Sequence, residues 1–276
     1  MSGRFKGKVA VVTGVGRGVG RAAALILASE GAAVLVNDNP KYQREVGEVQ
    51  QSSDEVIAMI TSNGGQGVTD YEDVSTPEGA EALVARAVDE LGGLDIIINN
   101  VGLRIDSSFV DMTPDEFEDV VEANVTTAFM LIRFAAVQFR QQRSGNIVNI
   151  TSEAGLGGGA ANFGAASEAI VGLTRTVARD LGKYGVLCNA VSLPLSSARD
   201  LDTGSQDNEF NTAGVLVSLL CTDLMPNANG NVFGVQGNEI SLFSNPTIRR
   251  SIHKKGQFTM DEMDRLVPRL MDWEEQ

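Results

Sequence analysis

A chain of 276 residues is long enough to form one large domain with its own hydrophobic core, and it needs no disulfide or metal to hold it together. Its formal net charge of −14 would repel phosphate backbones and anionic lipid surfaces, which argues against nucleic acid or a membrane as a partner. The two cysteines are isolated and the chain has 1 histidine, so we predict no metal site and reduced structural thiols.

The apolar runs of the chain are short. None is longer than about ten residues before a polar residue or glycine interrupts it, which is too short to cross a bilayer. The N-terminus passes at once into a strand and a glycine turn, leaving no room for the apolar core and cleavage site of a secretory signal. We therefore expect a cytoplasmic protein.

Short apolar segments alternate along the chain with longer helical patterns. The segments are continuous rather than alternating, as in strands buried on both faces of a parallel sheet. They cover 8–13, 33–37, 95–98, 146–151 and 186–191. Regular alternation with right-handed crossovers places helices on both faces. The sequence thus predicts an α/β fold with a doubly wound parallel sheet of the Rossmann type, over residues 1–240. A short C-terminal extension, 241–276, would pack on the same domain or on a partner subunit.

Two helix starts carry a recognisable cap. Thr113 is followed by proline and, three residues on, by Glu116, which predicts the start of a long helix over 114–142. Thr259 and Glu262 repeat this spacing near the C-terminus.

Two polar stretches interrupt the alternation of strands and helices. Residues 39–53 follow the second strand, and we interpret them as a surface insertion. Residues 196–209 follow the strand over 186–191, at the edge where such sheets bind ligands, and they are interpreted as a small lid.

A glycine-rich loop joins the first strand to an alanine- and leucine-rich helix. Glycines allow a sharp turn and close approach to a pyrophosphate, and the N–H groups of the helix N-terminus favour its negative charge. The alternative is an ordinary strand-to-helix turn, but the position after the first strand favours a dinucleotide site. The candidate binding residues are Gly14, Arg17, Gly18, Val19 and Gly20.

Acidic residues after the second and third strands are candidates for the adenosine half of the site. Asp38 could accept hydrogen bonds from the ribose hydroxyls and would repel a 2′-phosphate, which favours NAD over NADP. Asp73 and Val74 could bind the adenine amino group. In each case the alternative is a simple turn residue, since Asx turns are common.

These motifs occur in an order that resembles the classical short-chain dehydrogenases/reductases over residues 5–240. The loop reads TGxxxGxG, and Asn-Asn-Val-Gly at 99–102 is similar to the family's NNAG motif. The resemblance implies that Asn100 and Gly102 belong to the cofactor site, and that Asn124 and Ser152 are remnants of the catalytic site. The strand end after 33–37, the insertion and the C-terminal segment look most like members acting on CoA thioesters or on related acyl and steroid substrates.

The residues that carry the family's chemistry are missing. A Tyr and a Lys four residues later transfer the proton in the family, and alignment places Phe163 and Ser167 there. A positioned acid or base typically contributes about 10²–10⁴-fold, and a phenyl ring has no proton to give. Leu193-Pro194 also replaces the Pro-Gly turn that contacts the nicotinamide in the family, and the covering segment is shorter. We expect no functional catalytic residues, and the sequence leaves open whether NAD still binds or the loop is a vestige.

The helices over 114–142 and 163–182 are apolar on more than one side, which indicates burial by the sheet and by another subunit. The resemblance implies a dimer interface at these helices, the alternative being a monomer that covers them with its own insertion. The leading hypothesis is a catalytically inactive subunit. It would pair through these helices with an active homologue, in an NAD-dependent dehydrogenase of a hydroxyacyl-CoA type substrate, as in anaerobic aromatic degradation.

Two other functions fit the same residues. One is an enzyme with non-redox chemistry, a lyase or isomerase, that uses Ser152 with Glu153 or Glu168 as a base. The other is a regulator that binds NAD through the glycine loop and Asp38 without turning it over.

Overall fold

Eight strands form a single sheet in the computed structural model, which describes residues 3–39, 41, 53–195 and 206–271. The strands are β1 (Val9–Thr13), β2 (Ala33–Asn37), β3 (Gln66–Asp70), β4 (Ile96–Asn99), β5 (Gly145–Ser152), β6 (Val186–Leu193), β7 (Val232–Gln236) and β8 (Glu239–Leu242). Their spatial order is β3-β2-β1-β4-β5-β6-β7-β8, and every neighbouring pair except β7 and β8 is parallel. The order reverses between β1 and β4, so the predicted doubly wound sheet is confirmed.

Helices cover both faces of this sheet. They are α1 (Gly18–Ser29), α2 (Ser53–Ser62), α3 (Pro77–Leu91), α4 (Pro114–Val121), α5 (Thr127–Gln142), α6 (Ala161–Gly182), α7 (Gln206–Leu220), α8 (Met260–Leu266) and α9 (Pro268–Met271). Successive strand side chains point to opposite faces. Val12 accordingly joins a core cluster with side chains of α1, α2 and α7, whereas Val11 joins a second cluster with α3, α5 and α6.

The helix predicted over 114–142 is not a regular α-helix throughout. A π-helical turn, Glu122–Thr126, joins α4 to α5. The Asn124 Nδ2 donates to the carbonyl oxygens of Leu103 and Val120, each at 2.8 Å, and the Thr127 hydroxyl donates to the Glu122 carbonyl oxygen at 3.2 Å. These bonds stabilise the widened turn at a position facing the carboxyl ends of the strands, where such bulges are often found at functional sites.

The same 29-residue segment, Pro114–Gln142, is long and apolar enough to cross a membrane by length and composition. Leu131, Ile132, Ala135 and Phe139 lie in the buried cluster on one face of the sheet. A core helix of this kind passes the same test, so its hydropathy carries no further conclusion.

Both predicted capping boxes are confirmed. The Thr113 hydroxyl accepts from the backbone N–H of Glu116, whose carboxylate accepts from the Thr113 N–H, and Thr259 and Glu262 make the same pair of bonds. The chain divides into two compact units between Phe243 and Ser244. In the second unit, the described elements are α8 and α9.

Candidate functional site

The predicted site residues come together at the carboxyl edge of the sheet. Each parallel strand delivers its following loop to this edge, and the switch point between β1 and β4 opens a crevice there. The glycine loop follows β1, Asp38 follows β2, Asp73 follows β3, Asn100 follows β4 and Ser152 ends β5.

The glycine loop requires glycine at two positions for space. Gly14 has a φ of 65°, and a Cβ on it would lie 2.8 Å from the carbonyl oxygen of Asn100. A Cβ on Gly20 would lie 2.5 Å from the Gly14 carbonyl oxygen and 2.6 Å from the Asn100 Nδ2. The loop is thus packed directly against the segment after β4.

Hydrogen bonds fix the glycine loop to the segment that follows β4. The Asn100 Nδ2 donates to the Gly14 carbonyl oxygen at 2.6 Å. The Thr13 hydroxyl oxygen accepts from the backbone N–H groups of Asn100 and Val101, at 3.1 and 3.3 Å. Gly102 packs against Asn124, because a Cβ on it would lie 3.1 Å from the Asn124 Oδ1. Of the predicted cofactor residues, Asn100 therefore supports the glycine loop itself, whereas Gly102 packs against the π-helical turn.

The N-terminus of α1 is open to an anion. Arg17 is the N-cap residue, with extended backbone, and its side chain makes no capping hydrogen bond to the helix. Gly18 begins the helix with a φ of 65°, and Val19 is buried in the core. Partial desolvation lowers the pKa of Arg17, which nevertheless stays protonated at neutral pH. Free N–H groups and a nearby cation are what a pyrophosphate needs.

The segment after β2 has a buried polar character. Asp38 is 8% exposed, and its N–H donates to the Asp70 carbonyl oxygen at 3.1 Å. Asn39 is 5% exposed, and within the described part of the chain its Nδ2 has no hydrogen-bond partner. A buried donor without a partner favours a ligand acceptor at this place. The rest of the predicted insertion, apart from Lys41 and Ser53, lies outside the described residues.

The loop after β3 is held by charged and hydroxyl groups. The Asp73 carboxylate accepts from the backbone N–H and the hydroxyl of Ser75, at 3.0 and 2.6 Å. The Lys41 Nζ lies 2.6 Å from Glu122 and 3.9 Å from Asp73. The Val74 side chain is fully buried in the core, so a ligand could contact the backbone of this residue but not its side chain.

At the positions aligned with the catalytic pair, the side chains make internal contacts. The Ser167 hydroxyl donates to the Phe163 carbonyl oxygen at 2.7 Å, one turn earlier in α6. The Ser167 carbonyl oxygen accepts from the Thr151 hydroxyl at 2.8 Å, which anchors α6 to β5. Ser152 is 8% exposed, and its Oγ accepts from the N–H of Ala154 at 3.2 Å.

The two carboxylates considered as alternative bases do not join Ser152. Glu153 begins the 3₁₀ turn after β5 and is half-buried, and Glu168 is exposed on α6. Among the described residues, neither carboxylate has a hydrogen bond to the Ser152 hydroxyl. The geometry therefore lends no support to a non-redox acid–base pair at this serine.

Arg104 is the residue that sequence reasoning missed at this site. Its guanidinium carbon lies 5.7 Å from the centroid of the Phe163 ring, and its Nη1 donates to the Leu195 carbonyl oxygen at 3.1 Å. Its Nη2 lies 2.8 Å from the Asp106 carboxylate, and the Arg104 side chain is 11% exposed. Arg104 thus links the segments after β4 and β6 across the ring that stands at the aligned tyrosine position. Contacts 91 residues apart leave no local pattern that could have revealed this role.

The predicted lid is described in part. Leu193 ends β6, Pro194 follows, and the Leu195 side chain would meet a Cβ placed on Gly159 at 3.1 Å. Residues 196–205 lie outside the described residues, and 206–209 belong to the first turn of α7 instead of a loop.

Comparison with known proteins agrees with this arrangement. The family model described as short chain dehydrogenase matches residues 8–208. The chain belongs to the short-chain dehydrogenase family. A crystal structure of a short chain dehydrogenase from Mycobacterium avium superposes with a TM-score of 0.86 at 30% identity, covering 97% of this chain and 96% of that one.

Two curated relatives are named as enzymes. A hydroxyacyl-CoA dehydrogenase of Mycobacterium tuberculosis is 36% identical over 272 residues, which cover 91% of this chain and 84% of the relative. The peroxisomal hydratase-dehydrogenase-epimerase of Saccharomyces cerevisiae is 39% identical over 197 residues, 71% of this chain. This short-chain dehydrogenase spans 22% of the length of the yeast protein.

Short-chain dehydrogenases generally use NAD(P), and the two halves of this site fit such a cofactor unequally. The open N-terminus of α1, the close-packed glycines and the unpartnered Asn39 Nδ2 suit the pyrophosphate and the adenosine. At the other half, Phe163 and Ser167 offer no acid–base group. These residues fit binding of a dinucleotide better than chemistry on it.

Proposed function

We propose that this chain is a catalytically inactive short-chain dehydrogenase subunit. It would pair with an active homologue in an NAD-dependent dehydrogenase of a hydroxyacyl-CoA type substrate. The observation that carries the proposal is the pair Phe163 and Ser167. Hydride transfer at a carbinol carbon needs a proton to move on the oxygen, but the phenyl ring has none and the Ser167 hydroxyl already donates to a carbonyl oxygen. Ser152 remains as a neutral hydroxyl, which is a poor proton donor near neutral pH.

The substrate class rests on relatives. The mycobacterial relative, whose alignment covers 91% of this chain, is named a hydroxyacyl-CoA dehydrogenase. A hydroxyacyl-CoA of anaerobic aromatic degradation would be one such substrate. In our proposal the active partner oxidises it. This chain would retain NAD for structural support, held by the glycine loop, and Asp38 would disfavour the 2′-phosphate of NADP.

The exposed surfaces of α4, α5 and α6 support pairing. On α6 a row of small residues is exposed, whereas Ala166, Ile170 and Val177 are buried against the sheet. The exposed row consists of Ala165, Ala169, Gly172 and Thr176. Along α4 and α5, Phe117 and Phe129 are 40% and 47% exposed. Small residues let a second helix approach closely, and exposed aromatic rings gain free energy when a partner covers them.

Native purification tests the proposal directly. The chain is isolated from its source at endogenous level, and the co-purifying proteins are identified by mass spectrometry. We expect a second short-chain dehydrogenase that carries the tyrosine and lysine, together with NAD-dependent activity in the complex and none in this chain alone. A homogeneous homo-oligomer with turnover of its own would contradict the proposal.

A second candidate function, an NAD-binding regulator, is favoured by the intact glycine loop. Calorimetry with NAD on the isolated chain distinguishes it. Micromolar binding without any co-purifying dehydrogenase would support the regulator, whereas the absence of binding would exclude it.

A further inference from the structure

A cavity of about 400 Å³ opens away from the glycine loop, where the chain leads from α5 into β5 and from α6 into β6. This is the amino edge of the sheet, opposite the nucleotide loop. The cavity is lined by Val137, Arg140, Gln141, Arg143 and Tyr184. None of these residues takes part in the site described above.

Two arginines line this cavity, and a lysine shares the Tyr184 ring with one of them. The Arg140 guanidinium carbon lies 4.9 Å from the centroid of the Tyr184 ring, and the Lys183 Nζ lies 5.2 Å from the same centroid. The Arg143 Nη2 donates to the Lys183 carbonyl oxygen at 3.2 Å, which brings the third cation to the group. Among the described residues, no carboxylate forms an ion pair with any of the three.

Helix ends explain only part of this arrangement, in a chain where acidic residues outnumber basic ones by 36 to 22. Arg140 and Arg143 lie at the C-terminal end of α5 and Lys183 caps α6, where the helix dipole favours a positive charge. The dipole explains cations at each helix end separately. It does not explain why Arg140 and Arg143 line one concavity, where they repel one another.

The backbone at Arg143 adds to the argument. Of the described non-glycine residues, Arg143 is the one with positive φ, at 56°, and it is the C-cap of α5. Glycine or asparagine normally occupies such a cap because a side chain is strained there. The chain thus has an arginine where a glycine would cost less free energy.

We propose that this cavity binds an oxyanion, a phosphate or carboxylate group of a small molecule, between Arg140 and Arg143. Each guanidinium presents a fork of N–H donors that matches two oxygens of such a group. Val137, which is 50% exposed, supplies an apolar wall for the organic part of the ligand. The volume lies within the range of small-molecule pockets. Val137 and Arg140 lie on the side of α5 that the proposed function gives to a partner, as Phe129 does, so the inference applies to the unpaired chain.

Calorimetry with inorganic phosphate, against chloride at equal ionic strength, tests the site on the full chain. We expect saturable binding in the native protein and at least about a tenfold loss of affinity in the double variant Arg140→Gln/Arg143→Gln, since charge-assisted hydrogen bonds are lost. Arg133→Gln is the matched control, because Arg133 is exposed on the same helix and lies 5.7 Å from a ring, that of Phe134. Arg17→Gln controls for phosphate bound at the glycine loop.

Both controls should keep the affinity at the cavity, and thermal unfolding should show that all variants fold. Equal affinity in the double variant and the native chain would overturn the proposal. The absence of saturable binding in the native chain would also overturn it. If the double variant loses a partner subunit while phosphate never binds, a carboxylate of the partner is the occupant, and the small-molecule proposal is wrong.

Discussion

The backbone around Gly20 leaves no room for a side chain at this position. A Cβ at this position would lie 2.5 Å from the Gly14 carbonyl oxygen and 2.6 Å from the Asn100 Nδ2, so the substitution Gly20→Ala must shift the loop. We expect a loss of about 1–3 kcal/mol in the free energy of unfolding, as for other overpacked sites. The same substitution should also lower the affinity for NAD, measured by calorimetry. Urea unfolding followed by circular dichroism measures the stability.

Gly93→Ala is the matched control for this substitution. A Cβ on Gly93 would meet its nearest atom, the Val9 Cγ2, at 3.9 Å, which is ordinary van der Waals contact. The change should therefore stay within about 0.5 kcal/mol of the native stability. Equal losses at Gly20 and Gly93 would show that the close approach in the loop has no energetic weight.

Arg104 makes three different contacts beside the Phe163 ring. We expect Arg104→Leu to lower the free energy of unfolding by about 1–3 kcal/mol, because a nearly buried side chain loses an ion pair, a hydrogen bond to Leu195 and its contact with the Phe163 ring. Asp106→Asn should cost less, since Asp106 is 52% exposed and Arg104 keeps its other two contacts. Urea unfolding measures the stability of both variants. A larger loss in the free energy of unfolding for Asp106→Asn than for Arg104→Leu would contradict this account.

At the scale of elements, the sequence pattern was sufficient to predict those strands and helix caps that are determined by neighbouring residues. The strands β1, β2, β4, β5 and β6 and both capping boxes follow from apolar runs and from residues three positions apart. No range was predicted for β3, β7 and β8, because β3 and β7 are short and contain glycine and the β8 residues are all exposed.

The π-helical turn and the Arg104 contacts were missed for another reason. The turn depends on Asn124 bonding the Leu103 carbonyl oxygen, and Arg104 reaches Leu195, 91 residues away. Such contacts arise from tertiary structure and leave no periodic signal in the sequence. The glycine loop and the missing catalytic pair were visible because they are residue types at fixed spacings. The contacts that Phe163 and Ser167 make at these positions were not visible.

The cap of α8 should depend on pH. The Glu262 carboxylate accepts hydrogen bonds from the Lys254 ammonium and from the backbone N–H of Thr259. These bonds lower the pKa of Glu262 to about 2, below its usual value of 4.5. A depressed carboxyl pKa stabilises the folded state above the unfolded pKa, and the contribution is lost as pH falls from about 4.5 toward 2. NMR titration of the Glu262 carboxyl measures it. Lys254→Met should move this pKa up toward its usual value, and Lys255→Met should leave it in place; equal shifts would contradict the assignment.

At the scale of the whole molecule, the two edges of the sheet carry different features. The carboxyl edge holds the glycine loop and the altered catalytic positions, and the amino edge holds the basic cavity. The exposed rings of α4 and α5 lie on the helices between them. In the proposed function both edges and the association surface are retained, because binding and pairing need no proton transfer.

The proposed association surface can be tested by introducing a charged side chain on α5. Phe129 is 47% exposed on α5, and burying its ring against a partner would make it an anchor of the interface. We expect Phe129→Glu to weaken assembly at least about thirtyfold, the effect of losing roughly 2 kcal/mol at a central contact. Val215→Glu is the control, since Val215 is 59% exposed on α7. Native mass spectrometry should show free subunit for Phe129→Glu and intact complex for Val215→Glu, with unchanged circular dichroism in both. A complex that survives Phe129→Glu would place the interface elsewhere.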